Sequence, residues 1–441
     1  MPILFSKSFN GIELLKVNGD PNGISGSVGS LALDISSNLK YKCIGNSIWD
    51  LIIPWGPSAA NPAGYYPSSF TPEKFGAKGN GTTDDYLAIQ DAYDAAYAVG
   101  GILQFDAKVY KITQPIQTRR GYTTIRGVAG AKNSADVYNA SGLRATTLTA
   151  FKGTRIWAAN CAAFQRDDIS DNHGYMTIEN LSIVGDGQDI AAINFGVNIT
   201  NATVYNRFIN LTVVNFGVGF DISNQYGSSW DDCRANSCDV GFKNGYGVSG
   251  SLGVPGGANA AKITNVSTDA CNICFLMIDG SGIDIKNVLA QQNCGPLLYL
   301  KPYTQGLAQI SISGVHYETS NSDRTLCMFD GSYGSASPLR PVSAANITIS
   351  NVTTNSATAK DGFKTLNAGA YSGLYRMTWK HISGVNYDVT LPDWAQASYF
   401  ESCRLKSLNV SAPTSAVVLM CEFNGNYGNS IIKKDGINLL G

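Results

Sequence analysis

A short phrase, Ile-x-Asn-Val or a close variant, returns along this chain at intervals the length of one solenoid coil. It reads Ile178-x-Asn180-Leu181, Phe208-x-Asn210-Leu211, Ile263-x-Asn265-Val266, Ile285-x-Asn287-Val288, Ile312-x-Gly314-Val315, Ile349-x-Asn351-Val352 and Ile382-x-Gly384-Val385. The later anchors, Asn265, Asn287, Gly314, Asn351 and Gly384, are separated by 22, 27, 37 and 33 residues. Each copy is an alternating strand, a residue that tolerates left-handed backbone, and a second alternating strand. A unit this short cannot bury its own apolar face, so it must stack on its neighbours. Alternation at β-branched positions, with no helical stretch between copies, predicts an all-β chain, a single-stranded parallel β-helix. The 55-residue gap between Asn210 and Asn265 predicts one degenerate copy, expected near Asn236.

Length is a weak constraint on such a chain, because a solenoid of 441 residues grows by adding coils. A net charge of -1 with only 15% charged residues argues against a nucleic-acid partner held through phosphates and against a polybasic membrane surface. The apolar runs are too short for membrane insertion, and MPILFSKSFNGIELL lacks the pattern of a signal peptide. The ten cysteines are therefore read as reduced thiols rather than disulfides. Cys233, Cys238, Cys271, Cys274 and Cys294 have spacings that zinc also uses, but they fall within repeat coils where small thiols stack, so no metal and no cofactor is expected. The Asn-x-Ser/Thr triplets at Asn180, Asn210, Asn265 and Asn351 coincide with repeat anchors and read as turns.

Residues 1–58 form a separate unit, in which GSLALDISSNLKYKCIGNSIWDLI predicts a small β-hairpin unit. Residues 59–70 continue a Pro- and Gly-rich linker, 71–425 hold the β-helix, and 426–441 are a short tail. Within FTPEKFGAKGNGTTDDYLAIQDAYDAAYAVGGILQFDAKVYKIT, a helix is expected near 82–99, opened by Thr82 or Thr83 and stopped by Gly100-Gly101. Its place before the first coil makes it a capping helix over an open sheet edge.

That segment closely resembles the entry motif of the pectate-lyase-like superfamily, in the branch rich in bacteriophage tailspikes and capsule or O-antigen depolymerases. GSLALDISSNLKYKCIGNSIWDLI is similar to a segment common in phage tail-fibre and tailspike chains. The resemblance implies a right-handed β-helix, a homotrimer, a place on the virion, contact with other tail proteins through the N-terminal region, and a bacterial surface polysaccharide as partner. Right-handedness also accords with the general sense of parallel crossovers. Catalytic residues differ among such proteins, so none carries over.

The repeat itself nominates candidates. With the copies aligned on the anchor, the next residue points inward and positions +2 and +4 point outward. Position +2 reads Ser267, Leu289, His316, Thr353 and Asn386; position +4 reads Asp269, Gln291, Glu318, Asn355 and Asp388. Carboxylates two coils apart are roughly 9.6 Å apart at the backbone, close to the spacing of inverting glycosidases. Glu318 is read as general acid, Asp269 as the base that activates water and Asp388 as a reserve partner, with His316, Gln291 and Asn355 contacting sugar. A plain solvated face is the competing reading of this row, and a sugar-binding face without catalysis is another. Trp230 and Asp232, in Trp230-Asp231-Asp232, combine an aromatic platform with acids, although a loop near the degenerate coil explains them as well. Asp167-Asp168 and Asp171-x-His173 read as surface loop, His381 as structural, and the 185–189 stretch as a turn rather than a calcium loop. Depolymerisation by glycoside hydrolysis is the leading reading. A lyase, using a cation such as Lys286 with His316 nearby, is the second. A non-catalytic glycan-binding virion protein is the third.

Overall fold

The computed structural model describes strands at 3–9, 12–17, 31–34, 39–45 and 48–51, and then residues 69–119, 121–129, 153–166, 173–187, 189–194, 203–245, 257–292, 294–302, 306–318, 325–331, 343–354, 360–367, 373–383, 387–391, 395–396, 398–410, 416–419 and 421–423. The five N-terminal strands form their own sheet. In it Leu31–Asp34 pairs antiparallel with Leu39–Gly45, which pairs antiparallel with Ile48–Leu51.

Between Ser69 and Phe423 the described residues wind as a parallel β-helix. Among the described residues one parallel sheet has 11 strands and runs from Ile116–Thr118 to Ser407–Val410; another has 24 strands and carries the repeats. In the latter, Thr177–Val184, Arg207–Val214, Lys262–Asp269, Gly280–Gln291, Leu307–Tyr317, Ser343–Thr354 and Gly373–Ser383 stack in register. Between Arg207–Val214 and Lys262–Asp269 lies the degenerate coil, made of Ser229–Asp231 and Arg234–Asn236.

The register identifies two interior rows. Ile178, Phe208, Trp230, Ile263, Ile285, Ile312, Ile349 and Trp379 stack directly on one another, each at most 1% exposed. Beside them run Val266, Val288, Val315, Val352 and Ile382, again buried. Apolar side chains thus alternate inward on every coil, and the core is one continuous column. Aromatic stacking extends across the other sheet, where Phe220, Phe242 and Phe275 lie 4.8 and 5.2 Å apart.

Between the two interior rows the backbone bends through the left-handed region. Asn180, Asn210, Asp232, Asn265, Asn287, Gly314, Asn351 and His381 all have φ between 50° and 65°. Asparagine and glycine tolerate that geometry, and the asparagines also bond across coils: Asn210 Nδ2 donates to Asn180 Oδ1 at 2.7 Å, and Asn287 Nδ2 to Asn265 Oδ1 at 3.0 Å. The sequons at Asn180, Asn210 and Asn265 therefore lie at repeat bends, and their side chains take part in these or neighbouring hydrogen bonds.

Two details of the expected register are corrected. The degenerate copy expected near Asn236 is the coil of Ser229–Asp231 and Arg234–Asn236, and its anchor is Asp232, because Trp230 fills the slot that isoleucine fills elsewhere; Ser237 bends left-handed as well. In the last copy Ile382 sits opposite Val352, so the bend falls on His381 rather than on Gly384; Gly384, Val385 and Asn386 lie outside the described residues. The cause is the same: Trp379 occupies the isoleucine slot opposite Ile349.

The Tyr86–Ala98 helix buries Ile89, Ala92, Tyr93 and Ala96 beside the first coil. Gln90 meets Ile116–Thr118, the terminal strand of the 11-stranded sheet: Gln117 N donates to Gln90 Oε1 at 2.8 Å, and Gln90 Nε2 donates to the Gln117 carbonyl at 3.1 Å. A single amide thus occupies hydrogen-bonding positions that a missing neighbour strand would fill. Cys233, Cys238, Cys271, Cys274 and Cys294 are buried free thiols within the column. Among the described residues no group of three or more His, Cys, Asp or Glu side chains is placed to hold a metal.

Candidate functional site

Directly outside the bend between the interior rows lies a cleft of about 310 Å³. The anchor positions Asn210, Asp232, Asn265 and Asn287 form one side of it, and Thr212, Arg234, Ser267 and Leu289, two residues further along, form the other. Strand alternation turns both sets outward, so the cleft is a consequence of the repeat. Among the described residues the degenerate coil supplies its charges, an acid at Asp232 and a guanidinium at Arg234, on neighbouring outward positions.

Arg234 is 15% exposed at its side chain and forms an ion pair with Asp269, which is fully buried. The two lie in adjacent coils, with Asn236 opposite Asp269 in the ladder. The Gln291 side chain, opposite Asp269 in the following coil, also lies beside the carboxylate. Even so, Oδ1 of Asp269 is buried without a well-formed hydrogen bond among the described residues. Burial raises the Asp269 carboxyl above its ordinary range, and the nearby Arg234 charge offsets this only in part.

This has a measurable consequence. A carboxyl raised in the folded state contributes stability below its ordinary value of 3.8 and loses that contribution as pH climbs through the folded value. Asp269→Asn removes the titration. The melting temperature of the variant minus that of the wild type is therefore expected to rise from about pH 4 to neutrality. A difference that is flat or falls over that range in paired thermal melts would contradict the raised carboxyl.

The predicted row is partly assembled. Asp269 and Gln291 are register partners, and Glu318 follows in the next coil, its amide bonded to the Ala290 carbonyl at 2.7 Å. Glu318 is exposed, with its carboxylate 3.5 Å from His316 Nε2; His316 Nδ1 lies 3.4 Å from Thr353 Oγ1. Asn355 lies outside the described residues. Asp269 does not face solvent as expected, since Arg234 and the neighbouring coils enclose it. Asp388 does not join the row. It lies in Tyr387–Leu391, a strand of the 11-stranded sheet, opposite Asp361 and Ser407, where its carboxylate accepts hydrogen bonds from Lys406 Nζ at 2.8 Å and Ser407 Oγ at 2.5 Å. The three-residue slip at Trp379 is what moved it.

Trp230 is not a sugar platform. It is 1% exposed and stacked on Phe208 with ring centroids 5.0 Å apart. Asp232, its neighbour, does reach the cleft. Arg234 was not among the residues expected from sequence. The signal for it was present: it stands two residues after the anchor Asp232 once that anchor is recognised. Lys286, a candidate cation, is paired with Asp284 at 2.5 Å.

No family model matches the chain. Over 35 residues it is 63% identical to Depolymerase 1, capsule KN3-specific, of Klebsiella phage KN3-1, a stretch amounting to 8% of this chain and 4% of that protein. Among solved structures it is similar to PfbA, a surface adhesin of Streptococcus pneumoniae, with a TM-score of 0.51 and 12% identity over 84% of this chain and 97% of the other. It is likewise similar to the gp42 tailspike of Acinetobacter phage vb_AbaP_AS12, with a TM-score of 0.50 and 11% identity over 98% and 79%. At such identities the likeness is one of fold, and the chain is a parallel β-helix protein. An adhesin and a tailspike share that fold, so function must be argued from the site.

Proposed function

We propose that this chain is a phage tailspike that binds and depolymerises a bacterial surface polysaccharide, by glycoside hydrolysis. The observation that carries the reading is the outward cleft across stacked coils, where the amides of Asn210, Asn265 and Asn287, the hydroxyls of Thr212 and Ser267 and the charges of Asp232 and Arg234 stand beside apolar Cys233, Val266 and Leu289. Asparagine, serine and threonine side chains match sugar hydroxyls as donors and acceptors, and a rigid column holds them at coil spacing for several sugar units in a row. The short, strong similarity to a capsule depolymerase points to the same class of polymer.

In this reading Glu318 is the general acid, as the exposed carboxylate of the row, with His316 beside it. Asp269 is enclosed and acts through Arg234, holding the guanidinium where its planar donors meet the glycan. Asp232 is the second solvent-reaching carboxylate and the alternative acid. Arg234 also favours a second reading, a polysaccharide lyase, because β-elimination from a uronic acid needs a cation against the sugar carboxylate. As a tailspike the chain assembles as a homotrimer on the virion, and its N-terminal unit meets other tail proteins.

Mass spectrometry of capsular polysaccharide or O-antigen incubated with the protein tests all of this. Hydrolysis yields oligosaccharides carrying one added water per cut. Elimination yields unsaturated products absorbing in the ultraviolet. Tight binding with no fall in polymer size would replace both by a purely adhesive function. Sedimentation as a 46.9 kDa monomer would remove the trimer.

A further inference from the structure

A second left-handed bend lies five residues before the first on each coil. It is occupied by Tyr175, Tyr205, Gly227, Ala260, Gly282 and Gln309, with φ between 53° and 67°. The backbone bonds place them in one row: Tyr205 N donates to the Tyr226 carbonyl, Gly227 N to that of Asn259, and Ala260 N to that of Ser281, at 2.8 to 3.1 Å. Down this row the side chains change abruptly. Tyr122, Tyr175 and Tyr205 are exposed and stacked, their ring centroids 5.0 and 5.6 Å apart. Three small residues follow, and then the exposed Gln309.

The ladder therefore ends in a step. Tyr205 is 58% exposed, the most open ring of the three. One face of it is occupied by Tyr175, and on the other side it leans over Gly227, where a Cβ would come within 2.7 Å of the ring. Beyond the ring and the Gly227 that it covers, Ala260 and Gly282 leave a floor without side-chain bulk, about 14 Å long at three coil spacings between Gly227 and Gln309. A bulky residue in left-handed backbone is uncommon and strained, which makes an exposed tyrosine here a costly choice.

We propose that this bay is a subsite for a sugar ring of the polysaccharide, stacked against Tyr205 and lying on the Ala260–Gly282 floor; this rests on the function proposed above. The apolar face of a pyranose matches an aromatic ring, while its hydroxyls meet the polar groups that flank the floor, Asn259 and Ser281 on one side and the row Ser229, Lys262 and Asp284 on the other. The bay belongs to the coils that carry Asp232, Asn265 and Asn287, which line the cleft. The two lie five residues apart, about 16 Å along the strands. A glycan crossing the coils would occupy both, with its cut bond away from Tyr205.

The test uses the full-length chain and a panel of purified Klebsiella capsular polysaccharides, with rates of new chain ends and tryptophan fluorescence as readouts. Tyr205→Ala is expected to raise KM about 3- to 10-fold, the worth of one stacked ring, with kcat and melting temperature unchanged. Tyr205→Phe should restore wild-type KM. Ala260→Asn fills the floor with a residue already found at this bend, at Asn346, and should raise KM similarly without loss of fold. Wild-type KM in both Tyr205→Ala and Ala260→Asn, on a polysaccharide the wild type degrades, overturns the subsite and leaves the function standing. A change in sedimentation without a change in KM makes the ladder an interface between copies and likewise overturns it. A wild type that neither binds nor cleaves any polysaccharide overturns both.

Discussion

Replacing Trp230 by alanine should cost about 3–5 kcal/mol of stability, the usual price of emptying a large aromatic site in a packed core. Trp230 is 1% exposed, stacks on Phe208, and has Ile263 as its partner in the next coil. Its removal opens a gap in the column at the coil that shapes the cleft. A β-helix contacts only nearest neighbours, so the lesion weakens both flanking interfaces. Trp230→Phe keeps the stack and should lose far less. The measurement is denaturant or thermal unfolding, with glycan binding recorded well below the transition. Little loss of stability combined with loss of binding would return Trp230 to the surface role that sequence offered for it.

The second large effect concerns Glu318. Glu318→Gln keeps size and hydrogen bonding but removes the titratable acid. If Glu318 is the general acid, polysaccharide cleavage should fall by about 10² to 10⁴. Stability should scarcely change. The side chain is 55% exposed, and an exposed contact such as the 3.5 Å one with His316 contributes at most about 1 kcal/mol. Asp388→Asn should cleave normally, because Asp388 belongs to the other sheet and is held by Lys406 and Ser407. Cleavage near the wild-type rate by Glu318→Gln would move the acid to Asp232, and Asp232→Asn in parallel would decide it.

Much of the fold was legible because the repeat is an arithmetic of alternation. Val266, Val288, Val315 and Val352 are buried and in register as their spacing implied. The row Asp269–Gln291 is in register too, with Glu318 one coil beyond, although Asp269 is enclosed where the spacing turned it outward. Two misplacements came from tryptophan. A motif built on isoleucine passes over Trp230 and Trp379, though either ring fills the same interior slot. At the first, the copy near Asn236 is present but its anchor is Asp232, four residues earlier, and without that anchor Arg234 stays concealed. At the second, a chance Ile-x-Gly-Val match displaced the register by three residues and drew Asp388 into a row it does not share.

The sequence by itself determined what depends on local period: the all-β class, parallel stacking, the inward rows, the left-handed bends at Asn265, Asn287 and Gly314, and the helix before the first coil. Strand alternation and backbone sterics act within a few residues, so they are written in the chain. Burial across coils is not. Whether Asp269 meets water depends on Arg234 in the coil before and Gln291 in the coil after. Whether Trp230 is platform or core depends on Phe208, and whether Tyr205 has an open floor depends on Gly227, Ala260 and Gly282. Those neighbours are 22 to 77 residues away in the chain and one to three coils away in space. Only stacking decides which side chain covers which, and that decides which charges are enclosed and which rings stand free.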